Sequence, residues 1–218
     1  MSEKKKIAVV LSGSGVYDGS EIHETTLTLL AIARQGATYE IFAPNIDQVH
    51  VVNHLTGEEM PESRNVLVES ARIARGRIAD LKTYEASKFD ALVFPGGFGA
   101  AKNLCTFAFD GPNCTVNTDV ERAVRQTVEA GKPIGALCIA PAVITRILND
   151  VEVTIGNDSG TAGAIEKMGG THTNATHGEV VFDSKYKIYT TPCYMLDATI
   201  DQIADGAENI IQAILKSL

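Results

Sequence analysis

Three apolar runs in this chain do not alternate with polar residues: Ile7-Ala8-Val9-Val10-Leu11, Ala91-Leu92-Val93-Phe94 and Ile134-Gly135-Ala136-Leu137. A strand with one wet face alternates, whereas a strand buried on both faces does not, and such strands belong mostly to parallel sheets covered by helices. The first run passes into a loop from Ser12 to Ser20 that carries Gly13, Gly15 and Gly19. A helical pattern follows, with Ile22, Thr26, Leu29, Leu30 and Ala33 on one face, and it ends near Gly36. Tyr39 to Ala43 then reads as a second strand, closed by Pro44. This βαβ opening implies an α/β fold with a parallel sheet.

Residues 45 to 62 read as a short hairpin or an insertion, with a turn at Leu55-Thr56-Gly57-Glu58. Arg64 to Arg75 is expected to be helical, and Gly76 stops it. After the Ala91 run comes Pro95-Gly96-Gly97-Phe98-Gly99, where adjacent glycines permit a tight turn or a close approach of the backbone to a ligand. Cys105 to Asn117 reads as loop, and Thr118 with Glu121 reads as a capping box for a helix ending at Gly131. Val151 to Ile155 is a further strand, with a short helix after it that ends at Met168-Gly169-Gly170. Val180 to Phe182 and Lys187 to Thr190 flank a turn and form a hairpin. The last helix places Ile200, Ile203, Ala204, Ala207, Ile210, Ile211, Ile214 and Leu215 on one face, with Thr199 and Gln202 as its capping box. No repeat, low-complexity segment or linker interrupts residues 1–218, so one domain is expected.

The chemistry concentrates at Pro133-Ile134-Gly135-Ala136-Leu137-Cys138-Ile139-Ala140-Pro141. A buried strand ends at a cysteine and a helix starts at once, with small Ala136 and Ala140 two positions to either side. A nucleophile elbow needs those small neighbours, because its sharp turn lifts one side chain clear of the backbone. Pro141 suits a first helical turn, and the head of a helix favours a thiolate over a thiol. The competing reading is a buried structural cysteine. In an open parallel sheet ligands sit beyond the carboxyl ends of the strands, where the Gly13–Ser20 loop, the Pro95–Gly99 loop and Cys138 all fall. That favours a working cysteine.

Composition sets the outer bounds. A net charge of −8 argues against nucleic acid or an anionic membrane as partner. The four cysteines, at 105, 114, 138 and 193, form no CxxC pair, and the one i,i+4 histidine pair, His50 and His54, has no carboxylate or cysteine set around it and reads as surface or loop. No metal is expected. Gly13-x-Gly15 resembles the start of a dinucleotide fingerprint, but Asp18 stands where its third glycine belongs, so no NAD and no other cofactor is expected. Lys4-Lys5-Lys6 precedes too short an apolar run for a signal peptide, and no stretch is long enough to span a membrane. A cytoplasmic location is the expectation.

Several segments together carry a family resemblance: residues 12–24, Ser12-Gly13-Ser14-Gly15-Val16-Tyr17-Asp18-Gly19-Ser20-Glu21-Ile22-His23-Glu24; Val52-Asn53-His54-Leu55-Thr56-Gly57; Phe94 to Leu104; Ala136 to Ala140; and Thr191-Pro192-Cys193-Tyr194-Met195. They resemble the ThiJ/PfpI superfamily, built like the class I glutamine amidotransferases, and within it the ElbB branch of isoprenoid-biosynthesis, glyoxalase-like proteins. The resemblance implies a flavodoxin-like three-layer sandwich with a mainly parallel sheet, a homodimer, and Cys138 as nucleophile. It implies that Glu24 hydrogen-bonds the cysteine and that the N–H groups of Gly97 and Ile139 hold an oxyanion. Many members place a histidine just after the elbow or after the next strand; here Ile139 and the segment Thr154 to Asp158 supply none. His23 is a candidate substitute, and Tyr17, Asp18, Asn103 and Tyr194 are candidate pocket residues.

The implied activity is a cofactor-free glyoxalase acting on a small carbonyl substrate such as methylglyoxal or glyoxal. A deglycase would use the same residues. Two rivals stand beside it. One is a redox sensor built on an oxidisable Cys138. The other is amidotransferase-type hydrolysis using His177-Gly178-Glu179, although that pair precedes the expected hairpin and is read as coincidence.

Overall fold

The computed structural model describes residues 4–218. In chain order it contains β1 (Lys6–Val10), α1 (Ile22–Arg34), β2 (Thr38–Ala43), α2 (Val66–Ile73), β3 (Ala79–Asp80) and β4 (Ala91–Phe94). These are followed by α3 (Phe107–Asp110), α4 (Thr118–Glu129), β5 (Ile134–Leu137), α5 (Ala140–Leu148), β6 (Glu152–Val153) and α6 (Ser159–Lys167). β7 (Thr171–His172), β8 (Val181–Asp183), β9 (Ile188–Thr191) and α7 (Ile200–Lys216) complete it. Seven strands form one sheet in the order β3-β2-β1-β4-β5-β9-β8. Every neighbouring pair is parallel except the β8–β9 hairpin. β6 and β7 pair with each other in a separate two-stranded sheet.

The non-alternating runs behave as their composition dictates. Ile7, Val9 and Leu11 face one layer together with Val93, Leu137, Ile32, Ile203, Ile210, Ile211 and Ile214. Ala8 and Val10 face the other layer, with Leu92, Phe94, Ala136, Val124, Val143, Ile144 and Ile147. Helices α1 and α7 therefore cover one side and α4 and α5 the other, which is the flavodoxin-like three-layer α/β sandwich. Gly135 marks how closely α7 lies on the sheet: a Cβ there would stand 2.8 Å from Ile214 Cδ1.

Four local expectations need correction. The buried face of α1 is Glu24, Thr25, Thr28, Leu29, Ala31 and Ile32, while Ile22 and Leu30 are exposed. The helix turns a polar stripe inward, where the Glu24 carboxyl accepts from the N–H groups of Gly96 and Tyr194 and α7 packs alongside. α4 is capped by Asn117, whose side-chain oxygen accepts from the N–H groups of Asp119 and Val120, rather than by Thr118. α2 is shorter than the Arg64–Arg75 pattern and ends at Ile73. Residues Ala100–Leu104 wind into a π-helical turn that sequence periodicity does not signal, because one turn is too short to show a period. The Thr199–Gln202 capping box is as expected, with Thr199 N–H donating to Gln202 Oε1 at 3.0 Å. Among the described residues no helix is long and apolar enough to cross a membrane.

Candidate active site

β1 lies between β2 and β4, so the chain leaves the sheet in opposite senses after β1 and β4. That topological switch point is where open α/β sheets bind ligands. Four segments meet there: the head of α1, the Pro95–Gly99 loop after β4, the β5–α5 turn, and the Pro192–Leu196 segment after β9.

Cys138 occupies the β5–α5 turn with φ at +60°, a left-handed conformation that costs a side-chain-bearing residue energy. The surrounding structure holds it there. Its N–H donates to Thr191 O at 3.0 Å, so β9 pins the strand end just as the chain turns. The residue is only 7% exposed, and the Glu24 carboxyl and the N–H groups of Gly97 and Ile139 act on its sulfur. Glu24 is fully buried one turn into α1. Its Oε2 accepts from Gly96 N–H at 3.0 Å and its Oε1 from Tyr194 N–H at 3.1 Å.

Burial pushes the Glu24 carboxyl up to about 7, with the neighbouring Glu21 adding to the shift and the two N–H donors opposing it. The thiol is displaced as well. Burial, and then the Glu24 charge, push Cys138 well above its ordinary value, against the pull of the Gly97 and Ile139 N–H groups. The thiolate expected from the helix head alone is therefore not what the site favours. Desolvation and a carboxyl neighbour outweigh a helix terminus. With both groups raised, near neutral pH the thiol keeps its proton while the carboxyl is close to half-protonated.

The main chain is unusually close to this pair. A Cβ on Gly96 would stand 2.3 Å from Cys138 Cβ and 2.5 Å from Glu24 Oε2. Gly97, at φ +98°, presses against Gly19 O and Glu21 N. Gly96 is thus a site residue in its own right. Glu21 is another that sequence reasoning missed: it is buried, caps α1 through Oε2 accepting Glu24 N–H at 2.7 Å, and donates its own N–H to Gly96 O at 2.9 Å. Glu is not among the favoured N-cap residues, so only its place just ahead of Glu24 hinted at the role. Cys193 is buried beside the pair at φ +44°, and burial together with the Glu24 and Cys138 charges pushes its thiol up.

The remaining candidates divide. His23 and Tyr194 stand at the mouth, His23 Nδ1 lying 2.8 Å from Tyr194 Oη. Asp18 and Asn103 are buried and spend their polar atoms on main chain. Asp18 Oδ2 accepts from Val52 N–H at 2.7 Å, and Asn103 Nδ2 donates to Ser12 O and Asp18 O at 2.9 Å while its Oδ1 accepts from Val49 N–H. They are scaffold for the loops, not pocket lining. Tyr17 is exposed against the His54 ring, 4.9 Å between centroids, and its N–H donates to His54 Nε2. His177 lies in an exposed turn before β8, and Glu179 Oε2 accepts from Thr176 N–H, so neither touches Cys138. Among the described residues no group of three or more His, Cys, Asp or Glu side chains could hold a metal ion.

No protein-family model matches the chain. It is 47% identical over 221 residues to the human glutamine amidotransferase-like class 1 domain-containing protein 3, mitochondrial, covering 97% of this chain and 82% of that one. That relative's mitochondrial location does not match the cytoplasmic location expected above. A solved structure of an isoprenoid biosynthesis protein with amidotransferase-like domain from Ehrlichia chaffeensis superposes with a TM-score of 0.91 at 40% identity, covering 97% of this chain and 98% of that one. Glyoxalase III from Candida albicans shares the fold, with a TM-score of 0.64 at 14% identity over 98% of this chain and 97% of that one. These relatives show that the chain belongs to the class I glutamine amidotransferase-like proteins, together with that isoprenoid biosynthesis protein, and that it has the ThiJ/PfpI fold.

Proposed function

We propose that this chain is a cofactor-independent glyoxalase that converts small 2-oxoaldehydes to 2-hydroxy acids. The observation that carries the reading is the buried Glu24 carboxyl placed with Cys138 around Gly96, with the N–H groups of Gly97 and Ile139 acting on the sulfur. Glu24 takes the thiol proton as sulfur attacks the aldehyde carbon, and a hemithioacetal forms. The N–H groups of Gly97 and Ile139 hold the oxygen that becomes negative. Glu24 then moves a proton from the aldehyde carbon to its neighbour through an enediolate, leaving a thioester on Cys138. Water hydrolyses it, and the net change is oxoaldehyde plus water to hydroxy acid. A carboxyl pushed to about 7 suits both proton transfers.

Lactate formation from methylglyoxal by metal-stripped protein tests this, beside Cys138→Ala and Glu24→Gln. Turnover in wild type that is lost in both variants supports the reading. No turnover, with Cys138 still open to alkylation, overturns it.

The redox-sensor reading is favoured by one feature: a protonated Glu24 is placed to donate to an oxidised Cys138 sulfur. Mass spectrometry after peroxide treatment, showing a stable sulfinate on Cys138 of an inactive protein, would select it. Amidase chemistry has less support, because no histidine touches Cys138. A link to isoprenoid biosynthesis rests on the name of the Ehrlichia relative. A homodimer and a cytoplasmic location complete the reading, the latter fitting four unpaired cysteines. Light scattering and cell fractionation test these two.

A further inference from the structure

Cys105 and Cys114 are two buried thiols that the elbow chemistry leaves unused. Cys105 follows the π-helical turn Ala100–Leu104, which itself continues the loop that carries Gly97, and its Sγ donates to Ala100 O at 3.5 Å. From Cys105 the chain makes a small surface excursion and returns. Thr106 N–H donates to Thr115 O at 2.9 Å, Thr115 N–H donates to Thr106 Oγ1 at 3.0 Å, and Cys105 bridges antiparallel to Val116. Across such a pairing, residues i and j−2 share a face, which places Cys105 diagonally beside Cys114. Both side chains lie in the same buried cluster.

The pair is buried but not deep. Asn113 and Thr115, on either side of Cys114, are exposed, as are Ala108, Phe109 and Asp110 within the excursion. Arg146, on the helix that leaves the elbow, donates from Nε to Cys114 O at 2.6 Å and sets a positive charge nearby. The neighbouring Cys105 thiol first, and then the Arg146 charge, bring Cys114 below the ordinary thiol range, while Cys105 is pushed up. A thiolate-forming cysteine with a second thiol against it is the arrangement that turns peroxide into a disulfide instead of stopping at a sulfenic acid.

We propose that Cys105 and Cys114 form a second redox-active site, distinct from Cys138, which hydrogen peroxide converts to a reversible intramolecular disulfide. The Cys114 thiolate attacks one peroxide oxygen, the O–O bond breaks, and the departing hydroxide takes a proton to become water. Cys114 is then a sulfenic acid. Cys105 loses its proton and attacks the Cys114 sulfur; the S–S bond forms, the S–O bond breaks, and a second water leaves. Two thiols have given up two electrons and two protons, and one peroxide has become two waters. A dithiol reductant reverses the step through a mixed disulfide. The disulfide ties the continuation of the Gly97 loop to the segment held by Arg146. The proposal does not depend on the glyoxalase reading.

The test is peptide mapping of native Cys138→Ala protein exposed to hydrogen peroxide, quenched with catalase, then unfolded and alkylated. The expected result is a cross-linked peptide joining Cys105 to Cys114, with both sites lost to alkylation and both regained after dithiothreitol. Wild-type protein treated alike gives the same cross-link, whatever the stability of the variant. Cys114→Ser should abolish it and leave Cys105 fully alkylated. Both cysteines remaining alkylatable after peroxide, a cross-link to Cys193 instead, or oxidation of Cys114 to a sulfinate without any cross-link would each overturn the proposal.

Discussion

At Cys138 the backbone is held at φ +60° because β9 bonds its N–H and Gly96 leaves room for its side chain. Gly96→Ala would drive a methyl into both members of the pair. We expect turnover to fall by about 100-fold, since displacements near 1 Å cost that much, while circular dichroism stays native. Wild-type activity in that variant would refute the packing argument. Glu24 makes a prediction about pH. Its carboxyl is raised in the folded chain, so between pH 4.5 and about 7 the folded state holds a proton that the unfolded state has released. Stability therefore falls as pH rises through that window, by on the order of 3 kcal/mol in all. Urea midpoints measured across it should decline in wild type and decline less in Glu24→Gln. The elbow was legible because small residues around one cysteine are written in the chain, while Glu24 was singled out through the family resemblance. The contact of Gly96 with both was not legible, because a glycine's neighbours are set by how two loops converge.

Along the elements, patterning located strands and helices well and their faces less well. α1 shows why. Its inward stripe carries Glu24, Thr25 and Thr28, so a search for apolar periodicity chose the wrong side. Thr28 Oγ1 has no hydrogen-bond partner although it is buried. A hydroxyl desolvated without compensation costs about 1–3 kcal/mol, so Thr28→Val, nearly equal in shape, should raise Tm. A lower Tm would mean that the hydroxyl has a partner in solution. At the start of α4, Asn117 rather than Thr118 caps the helix, and Asn117→Ala should cost about 1 kcal/mol in thermal or chemical unfolding. Thr118→Ala should cost much less. The one-residue error arose because Asn and Thr are both good caps and sequence alone does not say which leaves the helical conformation.

For the whole molecule, the sheet order brings four segments, distant in sequence, to one edge of the β1–β4 switch point. Asn103 holds part of that assembly, bonding Val49, Ser12 and Asp18 at once. Asn103→Ala would leave buried main-chain groups unpaired. We expect a loss of about 2–3 kcal/mol and faster amide hydrogen exchange across residues 45–62, with exchange in α7 little changed. Non-alternating apolar runs, glycine punctuation and the small residues around Cys138 were enough to determine a parallel α/β sheet and a cysteine at a strand end. These are local properties, fixed by what each segment must bury and by how its backbone must turn. Only the tertiary structure decided that the Cys138 thiol is raised rather than lowered, that Asp18 and Asn103 serve the scaffold, and that Cys105 meets Cys114. Each of those depends on desolvation or on contacts between residues far apart in the chain, and no spacing along a sequence encodes the distance across a fold.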